Sequence, residues 1–484
     1  MAPRASLKTF LGAARAALTT HSSKRTAPLT FVVGNESADL DSLCSALLLA
    51  YFHTYAPPKK SISKEDTNPA LHIPICHLER ADLSLRPEFA AVLRDAGVAS
   101  EDVFTLEDVL PSQDNTAKTE KAALRPEDTR WLLVDHNAMT GRLAAAFASR
   151  VVGCVDHHAD ENVVPRHAEP RLIEKSGSCA SLVLGLCADS WAALSGAESG
   201  ENKSRNSDSD TRTQKGKETE KGREINDEKE IREEDARIAR LALAPILIDT
   251  TNLRDENKTT EHDERAVALA EAKIQAAEEG YTNSAGSGES YDVNGINSAK
   301  QKKKYNRDDF FAHLSALKED VAEMSFRDVL RKDYKAWSVD NLNLATSSAP
   351  RGFGYLLQEK AQGDPAVFVS ALREWAGEKD AGDDGRIDLV VVLAGFKDEE
   401  GRFCRELLVW ARTEAGVRAA ELFEERQRNM LRLEAWGGGA LDCNGDGDGD
   451  DGWRRCWTQK AVEYGRKQIA PMLRDALAEV AKRR

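Results

Sequence analysis

The chain has 484 residues, 31% of them charged, with 67 Lys and Arg against 81 Asp and Glu and a net charge of −14. That length allows two or three domains, and the acidic balance argues against a general nucleic-acid binder, whose field is usually basic. No run of 18 apolar residues occurs, so no membrane-spanning helix is predicted, and eight cysteines without CxxC or other zinc spacing read as buried thiols in a reducing compartment.

Residues 1–27 form an N-terminal helical arm with Arg4, Lys8, Arg15, Lys24 and Arg25 and no acid. Leu7, Phe10, Leu11, Ala14 and Leu18 share one helical face. Two readings are open: a presequence addressed to the mitochondrial matrix, or an amphipathic helix packed on the first domain of a cytoplasmic protein. The second is the commoner case. Residues 28–275 alternate short apolar runs with helical patterns. Strands are predicted at 29–34, 71–76, 131–135, 151–155 and 171–174, and helices at 42–55, 86–96, 139–149 and 178–195. This alternation predicts an α/β fold with a mostly parallel, doubly wound sheet.

Residues 196–228 hold Ser, Asn, Lys, Glu, Asp and Gly with almost no apolar residue. Such a stretch cannot offset its chain entropy by burial and reads as a disordered insertion. Residues 229–248 return to a helix and then to a strand at Pro245–Ile248. A polar linker at 276–307 precedes a smaller C-terminal α/β domain at 308–484. That domain opens with a helical run, Phe310–Met324, and has strands at Asn341–Ser347, Ile387–Ala394 and Leu407–Arg412. The almost pure Val/Leu run ending at Ala394 predicts a central strand. Residues 437–452 read as a Gly/Asp loop.

Four acidic motifs stand at the ends of predicted strands: Gly34-Asn35-Glu36-Ser37-Ala38-Asp39-Leu40-Asp41-Ser42, Asp135-His136-Asn137, Asp156-His157-His158 and Asp249-Thr250. In an open α/β sheet the strand C-termini converge on one crevice, where ligands bind. Asp and His delivered there make a site for hard divalent cations, and a pair of them suits phosphoryl hydrolysis. Asp41 opens a helix, so its ordinary role is an N-cap. Asp39 has no such role. Asp135 follows a buried run, where a charge is costly unless paired or metal-bound. Its two oxygens make it a candidate bridge between two ions. In the His157-His158 pair one ring can ligate metal while the other faces substrate, with Asp156 accepting a ring N–H of the ligating histidine. Asp249 closes the set, its ordinary role being a turn residue. Oxygen-rich ligation without thiolate favours Mn²⁺ or Mg²⁺ over zinc, and a histidine ligand tilts the choice to Mn²⁺.

A phosphate chain also needs cations from the protein. Arg466-Lys467-Gln468 is the best candidate, followed by Lys258 in Lys258-Thr-Thr-Glu-His-Asp263. The ordinary reading of such basic residues is a solvated face.

Together these motifs resemble the DHH phosphoesterase superfamily. Arg466-Lys467-Gln468, Arg327-Asp-Val-Leu330 and Asp333-Tyr-Lys335 resemble the C-terminal domain shared by family II inorganic pyrophosphatases, eukaryotic exopolyphosphatases and prune-like proteins. The resemblance implies a DHH catalytic domain at 28–275 and a DHH-associated, substrate-binding domain at 308–484 that closes the cleft. It implies that Asp39, Asp41, Asp135, His157 and Asp249 hold two ions, that His158, Lys258, Arg466 and Lys467 face phosphate, and that Asn35 lines the first loop. Asn35 stands where pyrophosphatases carry a metal-binding His, and His158 stands where prune-like proteins typically carry Arg. The combination is similar to eukaryotic exopolyphosphatases. The implied catalytic set is Asp135, His158, Arg466 and Lys467.

Two other patterns are set aside. Gly437-Gly438-Gly439 is similar to the nucleic-acid motif of another DHH subgroup, but an acidic loop follows it and would repel a nucleic-acid backbone. Asp442–Trp453 has the alternation of a calcium loop, but Trp453 replaces the bidentate Glu. The expected function is release of orthophosphate from the ends of inorganic polyphosphate, by hydroxide attack at two metals. No nucleic-acid or membrane partner is expected, and no protein partner is legible. The alternatives are a pyrophosphatase or prune-like cyclic-nucleotide phosphodiesterase, and a non-catalytic binding protein.

Overall fold

The computed structural model describes residues 4–25, 27–56, 71–110, 124–196, 214–284, 304–380, 385–445 and 452–483. Most of the expected insertion and linker, and the centre of the Gly/Asp loop, lie outside the described residues. The chain divides into two compact units: 1–80, 88–138 and 147–315 in the first, and 81–87, 139–146 and 316–484 in the second.

The first unit runs α1 (Leu7–Thr19), β1 (Leu29–Val33), α2 (Leu40–Tyr55), β2 (His72–Ile75), α3 (Pro87–Asp95), α4 (Leu106–Val109), β3 (Thr129–Val134), α5 (Gly141–Phe147, shared with the second unit), β4 (Val151–Asp156), β5 (Arg171–Ile173), α6 (Cys179–Leu194), α7 (Gln214–Asp249), α8 (Glu261–Ser284) and α9 (Arg307–Glu319). Its five strands pair in parallel in the order β2-β1-β3-β4-β5. Strand order reverses between β1 and β3. In such sheets the reversal opens a crevice at the strand C-termini, the usual ligand site. Every residue of β1 is buried, which is why its sequence is a continuous apolar run rather than an alternation. All of α2 is buried too.

The N-terminal arm packs as the amphipathic reading expects. Leu7, Phe10, Leu11 and Ala14 are buried, with Phe10 edge-on to Tyr51. Arg4 pairs with Asp235 at 2.6 Å, and the Leu7 N–H donates to Glu234 at 2.7 Å.

One element differs in kind. Pro245–Ile248, expected as a strand, is the last turn of α7. The run is apolar on every side, so its periodicity cannot separate a buried strand from a buried helix. The alanines and leucines from Ala239 to Leu247 favour the helix, which is buried along that stretch. α7 also occupies the last part of the segment expected as an insertion, and α8 runs past residue 275.

The second unit runs α10 (Phe326–Lys332), β6 (Tyr334–Val339), β7 (Leu342–Ala349), α11 (Phe353–Tyr355), α12 (Pro365–Asp380), β8 (Leu389–Lys397), β9 (Phe403–Ala411), α13 (Glu414–Leu431), β10 (Leu433–Ala435), β11 (Cys443–Asn444), β12 (Trp453–Gln459) and α14 (Arg466–Lys482). The sheet is mixed, in the order β10-β12-β9-β8-β7-β6, with only β7 and β8 parallel. β8 is internal, as its composition predicts. Val390 and Val392 enter one apolar cluster with Phe353 and Trp375, while Leu389, Val391 and Leu393 enter another with Phe423 and Leu473.

Candidate metal centre

The site begins where β1 ends. A Cβ on Gly34 would lie 2.6 Å from Ser42 Cβ, so only glycine lets the strand pass this close to α2. Asn35 is buried in the turn. Its Oδ1 accepts from the Ser37 N–H, and its Nδ2 donates to the Asp135 carbonyl at 3.0 Å and to Asp135 Oδ2 at 2.8 Å. Asn35 thus holds Asp135 in place. The chain then enters α2 through Ala38, with φ of +45°, and Asp39.

The capping roles are the reverse of those expected. Asp39 is the N-cap of α2, accepting from the Ser42 N–H at 3.0 Å. Asp41 instead closes the N-terminus of α6. Its Oδ1 accepts from Ser178 Oγ at 2.8 Å and the Ala180 N–H at 2.9 Å, and its Oδ2 from the Cys179 N–H at 2.6 Å. The first N–H groups of a helix have no partner within it, and a buried carboxylate satisfies them well.

Asp135 follows β3 in the left-handed region, with φ of +60°, a conformation costly for most residues but tolerated by Asp. Ser42 Oγ, at 2.7 Å, joins Asn35 on Oδ2. Oδ1 faces His157 Nε2 at 3.0 Å, and Asp41 Oδ2 lies 3.9 Å from the same nitrogen. His157 Nδ1 contacts the Ser176 carbonyl at 3.0 Å. A carbonyl only accepts, so Nδ1 carries a proton and the ring turns its Nε2 to Asp135. Burial pushes the Asp135 carboxyl up to about 7, the charges of Asp39 and Asp41 push the same way, and His157 opposes them.

His158 is bound differently from its neighbour. Its Nδ1 donates to Asp156 Oδ1 at 2.8 Å, and the Asn137 Nδ2 donates to Oδ2 at 2.6 Å. Burial works against ionisation of Asp156, but the hydrogen bond and charge of His158 outweigh it and hold the carboxyl well below its ordinary value. Asp156 therefore orients His158, while a backbone carbonyl orients His157.

Ligand atoms of Asp135, His157 and His158 lie within 4.8 Å of one another, close enough to hold a metal ion. The nearby thiols do not compete. Burial keeps Cys154 and Cys179 protonated, and both donate to backbone carbonyls. Carboxylate and imidazole without thiolate fit a hard divalent ion.

The remaining predicted residues fall in three places. Asp249, half-buried, ends α7 rather than a strand; burial first, and then the charges of Asp41, Asp39 and Asp249, raise the pKa of the buried Cys44 thiol of α2. Lys258 is exposed beside Asp255 at 3.5 Å. In the second unit, Arg466 and Lys467 open α14, and Arg466 pairs with Asp333 at 2.7 Å. Sequence reasoning overlooked Ser42 and the Ser176-Gly177-Ser178 loop, which carry no charge. It also assigned nothing to Asp263, whose signal was the Thr260-x-x-Asp263 spacing of a helix start.

A parallel sheet with acids and histidines gathered beyond its strand ends, followed by a mixed-sheet unit, defines a two-domain α/β protein with a carboxylate–histidine centre. Residues 30–208 match the DHH family, N-terminal domain, and residues 312–476 match the DHHA2 domain. The chain belongs to the DHH phosphoesterase family. It is 28% identical over 453 residues to a Schizosaccharomyces pombe protein named "Putative exopolyphosphatase", spanning 93% of this chain and 92% of that one. It is 31% identical over 179 residues to the rat "Exopolyphosphatase PRUNE1", covering 37% of this chain and 34% of that protein. A crystal structure of a Methanococcus jannaschii "putative family II inorganic pyrophosphatase" aligns over 93% of this chain and 99% of that chain, with a TM-score of 0.48 and 17% identity.

Proposed function

We propose that this protein is an exopolyphosphatase, a hydrolase of phosphoric anhydrides that releases orthophosphate from the ends of inorganic polyphosphate with two bound Mn²⁺ or Mg²⁺ ions. The observation that carries the reading is the meeting of His157 Nε2, Asp135 Oδ1 and Asp41 Oδ2 in a buried place where charges of one sign accumulate. Asp39, Asp41, Asp135, His157 and Asp249 are the proposed ligands. Bound there, the ions lower the pKa of a water and offset negative charge on phosphoryl oxygens.

The chain's own residues do the rest. Asn35 and Ser42 fix Asp135 so that one oxygen stays directed at His157. His158, 26% exposed and held by Asp156, would donate its Nε2–H to a phosphoryl oxygen. Arg466, Lys467 and Lys258 supply positive charge for a polyanion that the net charge of −14 would repel. The full-length relative supports polyphosphate as substrate, and Asn35 and His158 support it over pyrophosphate and cyclic nucleotide. Neither nucleic acid nor membrane is a proposed partner; among the described residues no helix is long and apolar enough to cross a membrane. The packing of α1 supports the cytoplasmic reading over the matrix.

Phosphate release from long polyphosphate, pyrophosphate and cyclic AMP, compared side by side with Mn²⁺, tests this. Polyphosphate should be the preferred substrate; preference for cyclic AMP or pyrophosphate would replace the substrate, and no metal-dependent turnover on any would favour a binding protein.

A further inference from the structure

Asp263, near the start of α8, is fully buried. Its carboxylate accepts six hydrogen bonds. Ser181 Oγ, Ser176 Oγ and the Ser178 N–H donate to Oδ1 at 2.6, 3.1 and 3.2 Å. The Thr260 N–H and Oγ donate to Oδ2 at 2.8 Å each, and the Gly177 N–H at 2.9 Å. Two of these six suffice to cap α8. The other four gather the loop between β5 and α6.

That loop touches the metal centre twice. Its Ser176 carbonyl accepts from His157 Nδ1, and its Ser178 hydroxyl, with the N–H groups of Cys179 and Ala180, holds Asp41. Gly177 leaves no slack: a Cβ there would lie 2.5 Å from Thr250 Cγ2 and 2.8 Å from Asp263 Oδ2. Thr250 in turn follows Asp249.

We propose that Asp263 is a positioning residue of the cation site, acting through the Ser176–Cys179 loop to set the ring of His157 and the carboxylate of Asp41. It touches neither ion nor substrate. The proposal rests on the metal-site reading above. An amide at this position has one acceptor oxygen and two N–H donors. The donors would face the N–H groups now bound there, and the loop would move. Residues that orient metal ligands typically change affinity 10–100-fold.

The test is Mn²⁺ affinity by calorimetry on the full chain, for wild type, Asp263→Asn and Asp235→Asn. Asp235 is a buried carboxylate of the same unit, accepting from Trp191 Nε1 and Ser195 Oγ. It lies about 20 Å along α7 from Asp249, at 1.5 Å per residue. Asp263→Asn should weaken Mn²⁺ binding about 10–100-fold, while Asp235→Asn leaves it within about 2-fold, the range of an uncoupled site. Ser181→Ala removes one donor; it should weaken binding about 2- to 5-fold, the worth of one hydrogen bond, and serves if Asp263→Asn does not fold. Equal affinity in wild type and the variant tested, or equal loss in Asp263→Asn and Asp235→Asn, overturns the proposal.

A second readout needs no metal. In ¹⁵N imidazole spectra of the ion-free protein, wild-type His157 should be protonated at Nδ1, and Asp263→Asn should lose that single tautomer. An unchanged tautomer also overturns the proposal. A wild type that binds no Mn²⁺ but keeps the Nδ1 tautomer in an Asp263-dependent way would sink the metal reading while leaving the positioning of His157 by Asp263 standing.

Discussion

Asp235 and Asp135 are both buried carboxylates of the first unit, 3% and 2% exposed, and their surroundings are opposite. Asp235 meets Arg4 at 2.6 Å and Lys273 at 3.5 Å, with Trp191 and Ser195 completing its shell. Asp135 meets the fields of Asp39 and Asp41, opposed by His157 and by hydrogen bonds from Asn35 and Ser42, with no full positive charge paired to it among the contacts described. The first arrangement is complete without any ligand. The second accumulates like charge, which a divalent cation bound as proposed would offset. The contrast separates a carboxylate that ties the fold together from one that gathers like charge, as the proposed site requires.

The comparison breaks most visibly at Asp135. Asp135→Asn should reduce phosphate release by more than about 100-fold, beyond the range of a residue that only orients a ligand. Its melting temperature should hold or rise, because an amide with its oxygen toward Asn35 and Ser42 can donate to His157 Nε2. Turnover and calorimetric melting on one preparation check both halves; an active variant removes Asp135 from the mechanism. Asp235→Asn should do the converse. Unpairing Arg4 and Lys273 should cost about 3–5 kcal/mol in urea denaturation, the usual penalty for breaking a buried pair, with turnover at 25 °C retained.

His53 sharpens the comparison with a third solution. It is buried near the C-terminal end of α2 with no hydrogen-bond partner for Nε2, and burial lowers its pKa to about 4. The folded state thus keeps it neutral, while the unfolded chain takes up a proton near its ordinary value of about 6.5. Stability from this residue is full above pH 6.5 and falls as pH drops toward 4. The loss between pH 6.5 and 5 should be about 2 kcal/mol. His53→Phe should flatten that slope; urea midpoints at the two pH values measure it, and an unchanged slope would place the titration elsewhere.

Much of this was legible in the sequence. β1 and the C-terminal halves of β3 and β4 are buried on both faces, so they appear as apolar runs, and the acids at or just beyond those ends mark the expected crevice. Composition could not distinguish strand from helix at Pro245–Ile248, an apolar run buried through Leu247. Capping preference named Asp41 because it stands beside the predicted helix start, but the left-handed turn at Ala38 moves that start back to Asp39. The hold of Asp41 on α6 spans 138 residues of sequence to Cys179 and has no local signature. β12 was hidden because Arg454 and Arg455 interrupt its apolar pattern; Arg454 is buried nevertheless, donating to the Leu441 carbonyl at 2.6 Å.

The double engagement of Asp41 bears on anyone who would re-engineer ion preference. Changing that side chain would unseat the start of a sixteen-residue helix along with the proposed coordination sphere, so loss of function there would not by itself reveal a metal ligand.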